Sequence, residues 1–203
     1  MFRLSVTDLD SFLYWQNSDM ELEELLKRLR GEEPPNVKMA SGKAFHKLLE
    51  HAQDGEIFRT VVDGYEFRFN IDEELMIAPI RELKAETVFQ TPSGPVTLVG
   101  KVDGLYGQTI RDYKVTERFE AERYADSYQW RCYLVMFGAR HFVYDVFQAR
   151  YEDCLGVEQL VTIYDYHRLP FSAYPGIDAD VQRKVAELAE LVAKYVPEKR
   201  MAA

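Results

Sequence analysis

Cysteine is nearly missing from this chain: Cys132 and Cys154, with 21 residues between them, are the only two. Two thiols so spaced exclude a disulfide framework and a cysteine-built metal site, and they fit a reducing, cytoplasmic setting. No apolar run reaches the length needed to span a membrane, so no membrane association is expected. Asp8 and Asp10 follow the first residue so closely that no secretory signal is predicted. Positive charge is also scarce: 25 Lys and Arg stand against 34 Asp and Glu, a net charge of −9. That balance argues against a chain that coats polyanions with its whole surface. The deficit is uneven, however. Residues 27–47 sum to +4 and residues 50–86 to −6, so one basic surface can coexist with an acidic whole.

What is present is apolar and aromatic. Hydrophobic residues make up 47% of the 203 positions, with 13 Tyr and 12 Phe, enough for one globular domain over 1–203 with a sizeable core. Ser5-Val-Thr7 before Asp8 predicts a helix start, with Leu9, Phe12 and Leu13 as its buried stripe. Residues 21–30 predict a second helix, ended by Gly31 and the Pro34-Pro35 pair. Ser41-Gly42 is expected to open a third, whose buried face is Phe45, Leu48, Leu49 and Ala52, with His46 at the edge of that stripe. Asp63-Gly64, between residues 58–62 and 65–69, predicts a two-residue hairpin. Strands are predicted over 83–89, 96–103 and 109–115. One long helix is expected over 118–137 with Gly138 as C-cap, then strands over 141–147 and 159–166. Asp178 is expected to cap a final helix with the stripe Val181, Val185, Leu188, Val192 and Tyr195.

Chemistry concentrates between Val99 and Lys114. Alternation along the third predicted strand puts Ile110, Asp112 and Lys114 on one face, and a short return brings Asp103 near Asp112. Two carboxylates can hold a divalent cation through hard oxygen ligands, and a lysine beside them can position or deprotonate a water. Asp and Lys two apart on a strand are ordinarily a solvated ion pair worth little. Here Ile110 and Val115 predict burial, where unpartnered charges cost several kcal/mol. Gln129 and Tyr133, four apart on the following helix, share a face.

In order along the chain these residues resemble the motifs of RecB-type nucleases of the PD-(D/E)xK superfamily. They are Gly42-Lys-Ala-Phe-His46, a glutamate, Gly100-Lys-Val-Asp103, Asp112-Tyr-Lys114 and Gln129-Trp-Arg-Cys-Tyr133. Glu86 fits the glutamate best, and Glu82 would share its strand face. The resemblance implies an α/β fold, a mixed central sheet flanked by helices with a restriction-endonuclease-like core. It implies Mg²⁺ or Mn²⁺ held by His46, Asp103, Asp112 and the Tyr113 carbonyl, with Lys114 and Glu86 completing the catalytic set. It further implies DNA as partner, contacted by Lys38, Lys43, Lys47, Gln129 and Tyr133. Four cysteines would be needed for the iron–sulfur cluster of some relatives, so none is expected. The implied activity is a DNA exonuclease of recombination or repair, in a small stand-alone form like those of phages. An endonuclease and an inactive nucleic-acid-binding module on the same fold are the alternatives. The resemblance leaves open a monomer or a homo-oligomer and names no recombination partner protein.

Overall fold

In the computed structural model, residues 1–34, 37–52, 57 and 60–199 are described. Pro35 and the Phe58-Arg59 start of the expected hairpin strand lie outside them. The described elements are β1 (Phe2–Ser5), α1 (Val6–Gln16), α2 (Leu22–Arg30), α3 (Val37–Glu50), β2 (Val61–Val62), β3 (Tyr65–Phe69) and β4 (Ile80–Phe89). There follow β5 (Val96–Tyr106), β6 (Thr109–Thr116), α4 (Ala121–Asp126), α5 (Gln129–Phe137), β7 (His141–Glu152), β8 (Gln159–Ser172) and α6 (Ile177–Tyr195). No described helix is long and apolar enough to cross a membrane.

The eight strands form one mixed sheet in the order β1-β5-β6-β7-β8-β3-β2, with β4 along β5. One face carries α1, α2, α5 and α6 over a core that includes Leu9, Leu98, Val102, Ile110, Phe142 and Val185. The other carries α3, whose Phe45, Leu48 and Leu49 pack with Phe67, Tyr113, Phe147 and Ile163. This is the expected fold class, a mixed sheet flanked by helices.

Several local expectations hold for the stated reasons. Ser5 caps α1 through a reciprocal box: its Oγ accepts the Asp8 N–H at 2.9 Å, and the Asp8 carboxylate accepts the Ser5 N–H at 2.8 Å. Gly31 ends α2 with a left-handed φ of 73°. Asp63 and Gly64 both have positive φ, 49° and 85°, as a two-residue hairpin turn of the primed kind requires.

Others are corrected. The third helix begins at Val37, before Ser41-Gly42. Ser41 donates its hydroxyl to the Lys38 carbonyl at 3.0 Å, so the helix runs through it rather than starting there. The long helix over 118–137 is two helices. Ser127, extended at ψ 138°, breaks it; its Oγ accepts the Gln129 N–H and donates to Asp10. Arg131 takes up the stranded carbonyls of Ala125 and Ser127 at 3.1 and 2.8 Å. The last helix is capped by Gly176 at φ 93°, and Asp178 sits inside its first turn. Strand β1 was not anticipated. Its four residues are too few to show a period, and its place comes from parallel pairing with β5.

The arrangement that matters for the site is a fork. β4 runs along one edge of β5 from Phe89↔Val96 to Ile80↔Leu105. On the other edge β1 pairs only residues 96–99 and β6 only residues 104–106. Among the described residues, 100–103 therefore have no strand partner on that edge, and β6 continues past Arg111 held by β7.

Behind the fork, Arg111 (4% exposed) grips Asp145 (1% exposed) on β7 through two hydrogen bonds of 2.8 and 2.6 Å. Tyr166 also donates to Asp145. Replacing one partner strands the other charge in the core. Asp145→Ala is expected to lose about 3–5 kcal/mol in urea unfolding. A loss below about 1 kcal/mol would mean that the pair is solvated in solution.

Candidate metal centre

The fork brings together groups from both faces of the sheet. Val102 and Ile110 belong to one core, so alternation turns Asp103 toward α3 and turns Asp112 and Lys114 toward α5. Because no described strand fills the gap at residues 100–103, the two sets meet through it. Asp103 Oδ2 accepts the Tyr113 N–H at 2.9 Å, standing in for the ladder bond that β5 no longer supplies. Its Oδ1 lies 3.1 Å from His46 Nδ1, which α3 presents at the edge of its buried stripe.

Asp112 is 2% exposed. Its Oδ1 accepts from Gln129 Nε2 at 3.1 Å. Its Oδ2 faces Lys114 Nζ at 2.6 Å but accepts no hydrogen bond in good geometry. Lys114 also lies over the Tyr144 ring, 6.0 Å from its centroid.

Proximity and burial set the ionisation. Burial pushes the Asp112 carboxyl up to about 6, a rise that Lys114 opposes and Asp103 reinforces. Burial works the same way on Asp103, but His46, Lys114 and the Tyr113 N–H outweigh it and hold Asp103 below its ordinary value. Burial would lower Lys114, yet the two carboxylates override it and hold the ammonium well above the usual lysine range.

His46, Glu82 and Asp103 offer ligand atoms that all lie within 4.8 Å of one another. One imidazole and two carboxylates suit a hard divalent cation such as Mg²⁺ or Mn²⁺. Asp112, with a buried and under-bonded oxygen, borders the same cleft of about 920 Å³.

The remaining sequence candidates fall in different places. Glu86 pairs with Arg3 at 2.6 Å, half-exposed on the cleft rim, outside the cluster that contains Glu82. Lys43 and Lys47 line the cleft, Lys47 also pairing with Asp63 at 2.7 Å. Lys38 is turned to Glu117 and does not line it. Tyr133 donates to the Lys101 carbonyl at 2.9 Å and so braces the β5 backbone next to Asp103. Gln129 orients Asp112.

Sequence reasoning missed Arg3, Lys84 and Lys101 on the cleft wall, and Tyr144 behind Lys114. Lys101 could have been found, because it lies two residues before Asp103 on the same strand face. Arg3 and Lys84 could not, since only the pairing of β1 and β4 with β5 delivers them. A second cleft of about 640 Å³ lies against the same Lys114 and Gln129, lined by Tyr14, Arg28, Arg123 and Tyr124.

No family model matches this sequence, and no curated protein matches it. Solved structures do. SSO0001 superimposes with a TM-score of 0.55 at 12% identity, over 94% of this chain and 77% of that one. A candidate exonuclease from Eubacterium rectale gives 0.57 at 12% identity, over 98% and 83%. The alkaline exonuclease LHK-Exo from Laribacter hongkongensis gives 0.46 at 16% identity, over 98% and 92%. What the first two share with this chain is the fold.

Close packing makes one motif residue testable. A Cβ on Gly100 would stand 2.6 Å from Tyr133 Cε1 and 3.1 Å from Val6 Cγ2. Gly100→Ala is therefore expected to cost about 1–3 kcal/mol in chemical unfolding by overpacking. The penalty should shrink in a Tyr133→Ala background, which removes the ring it meets. An equal penalty in both backgrounds would move the clash elsewhere.

Proposed function

We propose that this chain is a Mg²⁺- or Mn²⁺-dependent DNA nuclease, working as an exonuclease in recombination or repair. The observation that carries the reading is the convergence of His46, Glu82, Asp103, Asp112 and Lys114 on one cleft, through a gap in the sheet. The ordered motifs, and a fold shared with a candidate exonuclease, support it.

The residues that would hold the ion are His46, Asp103, Asp112 and the Tyr113 carbonyl, with Glu82 in preference to Glu86. Bound there, the ion supplies Lewis-acid polarisation of the scissile phosphate. Lys114 orients the attacking water and the phosphate. Gln129 fixes the Asp112 carboxylate, and Tyr133 fixes the strand that carries Asp103. Arg3, Lys43, Lys47, Lys84 and Lys101 give the cleft five cations for backbone phosphates despite the net charge of −9. The second cleft, meeting the first at Lys114 and Gln129, offers the strand a way past the site.

The test is incubation with end-labelled single- and double-stranded DNA in Mg²⁺ and in Mn²⁺. Mononucleotide release from linear but not closed circular DNA is the expected outcome; cutting of closed circles would favour the endonuclease reading. Asp112→Asn and Lys114→Ala are each expected to lower turnover roughly 10²–10⁴-fold with the fold retained. His46→Ala should weaken metal affinity and activity less, because the carboxylates carry the charge that holds the ion. Near-normal turnover in Lys114→Ala with an unchanged melting curve would remove that residue from the chemistry.

DNA binding gives an independent check. Lys43→Glu with Lys84→Glu should weaken binding and flatten its dependence on salt. Lys38→Glu, outside the cleft, should do neither. Unchanged affinity and salt slope in the double variant would place the DNA path elsewhere.

A further inference from the structure

Glu82 is a backbone anomaly inside a strand. Its φ is +55°, whereas its neighbours pair regularly, Arg81 with Gly104 and Leu83 with Val102. For a residue with a Cβ this left-handed conformation is unfavourable, so the surroundings must hold it there. Between those two pairs, Glu82 stands opposite Asp103. Its carboxylate is ion-paired with Lys101. Lys101 and Asp103 are two apart on β5 and share a face. A lysine ammonium thus touches one of three residues that could together hold a metal.

The exposure of the two partners differs. Glu82 keeps 20% of its side-chain surface exposed and Lys101 keeps 47%. The Lys101 backbone is tethered, because Tyr133 donates to its carbonyl at 2.9 Å and the Tyr133 ring packs on Gly100 with no room for a Cβ. Its four-carbon stem, half-exposed, opens on the cleft. Lys114 is the contrast: 31% of its side-chain surface is exposed, it is paired to a carboxylate that is 2% exposed, and its ammonium lies over the Tyr144 ring.

We propose that Lys101 is a stand-in cation. Without metal it neutralises Glu82; when a divalent ion arrives it yields the carboxylate and turns into the cleft to take a DNA phosphate. The inference rests on the metal-site reading above. Metal binding then does two things at once, completing the ligand set and releasing a phosphate contact. Metal and DNA therefore favour each other's binding, and linkage makes the coupling equal in both directions.

The sign of the test separates this role from a structural one. Lys101→Met should tighten Mn²⁺ binding to the full-length, DNA-free protein by roughly 2–10-fold, since the competing charge is gone. Calorimetry or the Mn²⁺ resonance signal reads this without any activity. Lys101→Arg, which keeps the charge, should stay near wild type. In fluorescence anisotropy with Ca²⁺ as the ion, Lys101→Met should lose part of the metal-dependent gain in DNA affinity. Equal or weaker Mn²⁺ binding in Lys101→Met, beside a wild type that binds, would overturn the switch and leave the metal site standing. A wild type that binds no Mn²⁺ at millimolar concentration would overturn the site, and the switch with it. Tighter Mn²⁺ binding with an unchanged DNA gain would overturn the phosphate contact.

Discussion

A single hydrogen bond, from the Tyr113 N–H to the Asp103 carboxylate, sits where the sheet divides. β5 leaves β6 after three paired residues, and β6 would otherwise expose a backbone donor inside the protein. Asp103 closes that donor with a side chain instead of a strand. The substitution keeps the gap open at residues 100–103, and the gap lets a helix on one face and a strand surface on the other share a cleft. Its second oxygen reaches His46, so one carboxylate both repairs the sheet and faces the cleft.

The charges around the gap are arranged in layers. In front, Asp112 and Lys114 offset each other in partly dry surroundings, with Gln129 and Tyr144 fixing their positions. Behind, on the opposite face of the same strand, Arg111 is locked to Asp145, and the Tyr113 hydroxyl donates to the Met76 carbonyl and accepts the Ala78 N–H. Gly104 lets that loop approach, since a Cβ there would stand 2.6 Å from the Ala78 Cβ. The loop leads directly into β4 and Glu82. Strand β6 is therefore pinned from behind by a buried ion pair, so the residues it presents in front have little freedom to drift.

The acidic whole and the cations gathered at the cleft are reconciled by geometry. Arg3, Lys43, Lys84 and Lys101 come from β1, α3, β4 and β5, and no stretch of sequence contains them together. A tally along the chain sees only the +4 segment over residues 27–47, part of which, Lys38, turns to Glu117.

Much of the fold was legible because it rests on short-range rules. The Ser5 box, the Asp63-Gly64 turn, the Gly31 cap, the α3 stripe and the alternation of Asp112 and Lys114 each depend on residues within a few positions of one another. The candidate site was legible at the level of Asp103, Asp112, Lys114 and His46, because motif order survives without coordinates. What only the tertiary structure decided depends on partners far away. The break at Ser127 is fixed by Asp10, over a hundred residues earlier in the chain. The strand identity of Phe2–Ser5 comes from β5, and the turning of Glu82 rather than Glu86 toward His46 from a left-handed residue opposite Asp103. Local periodicity fixes which face a side chain takes, since that is a property of the backbone's own repeat. Which groups meet across the gap is set by strand pairing between distant segments, and no local repeat encodes it.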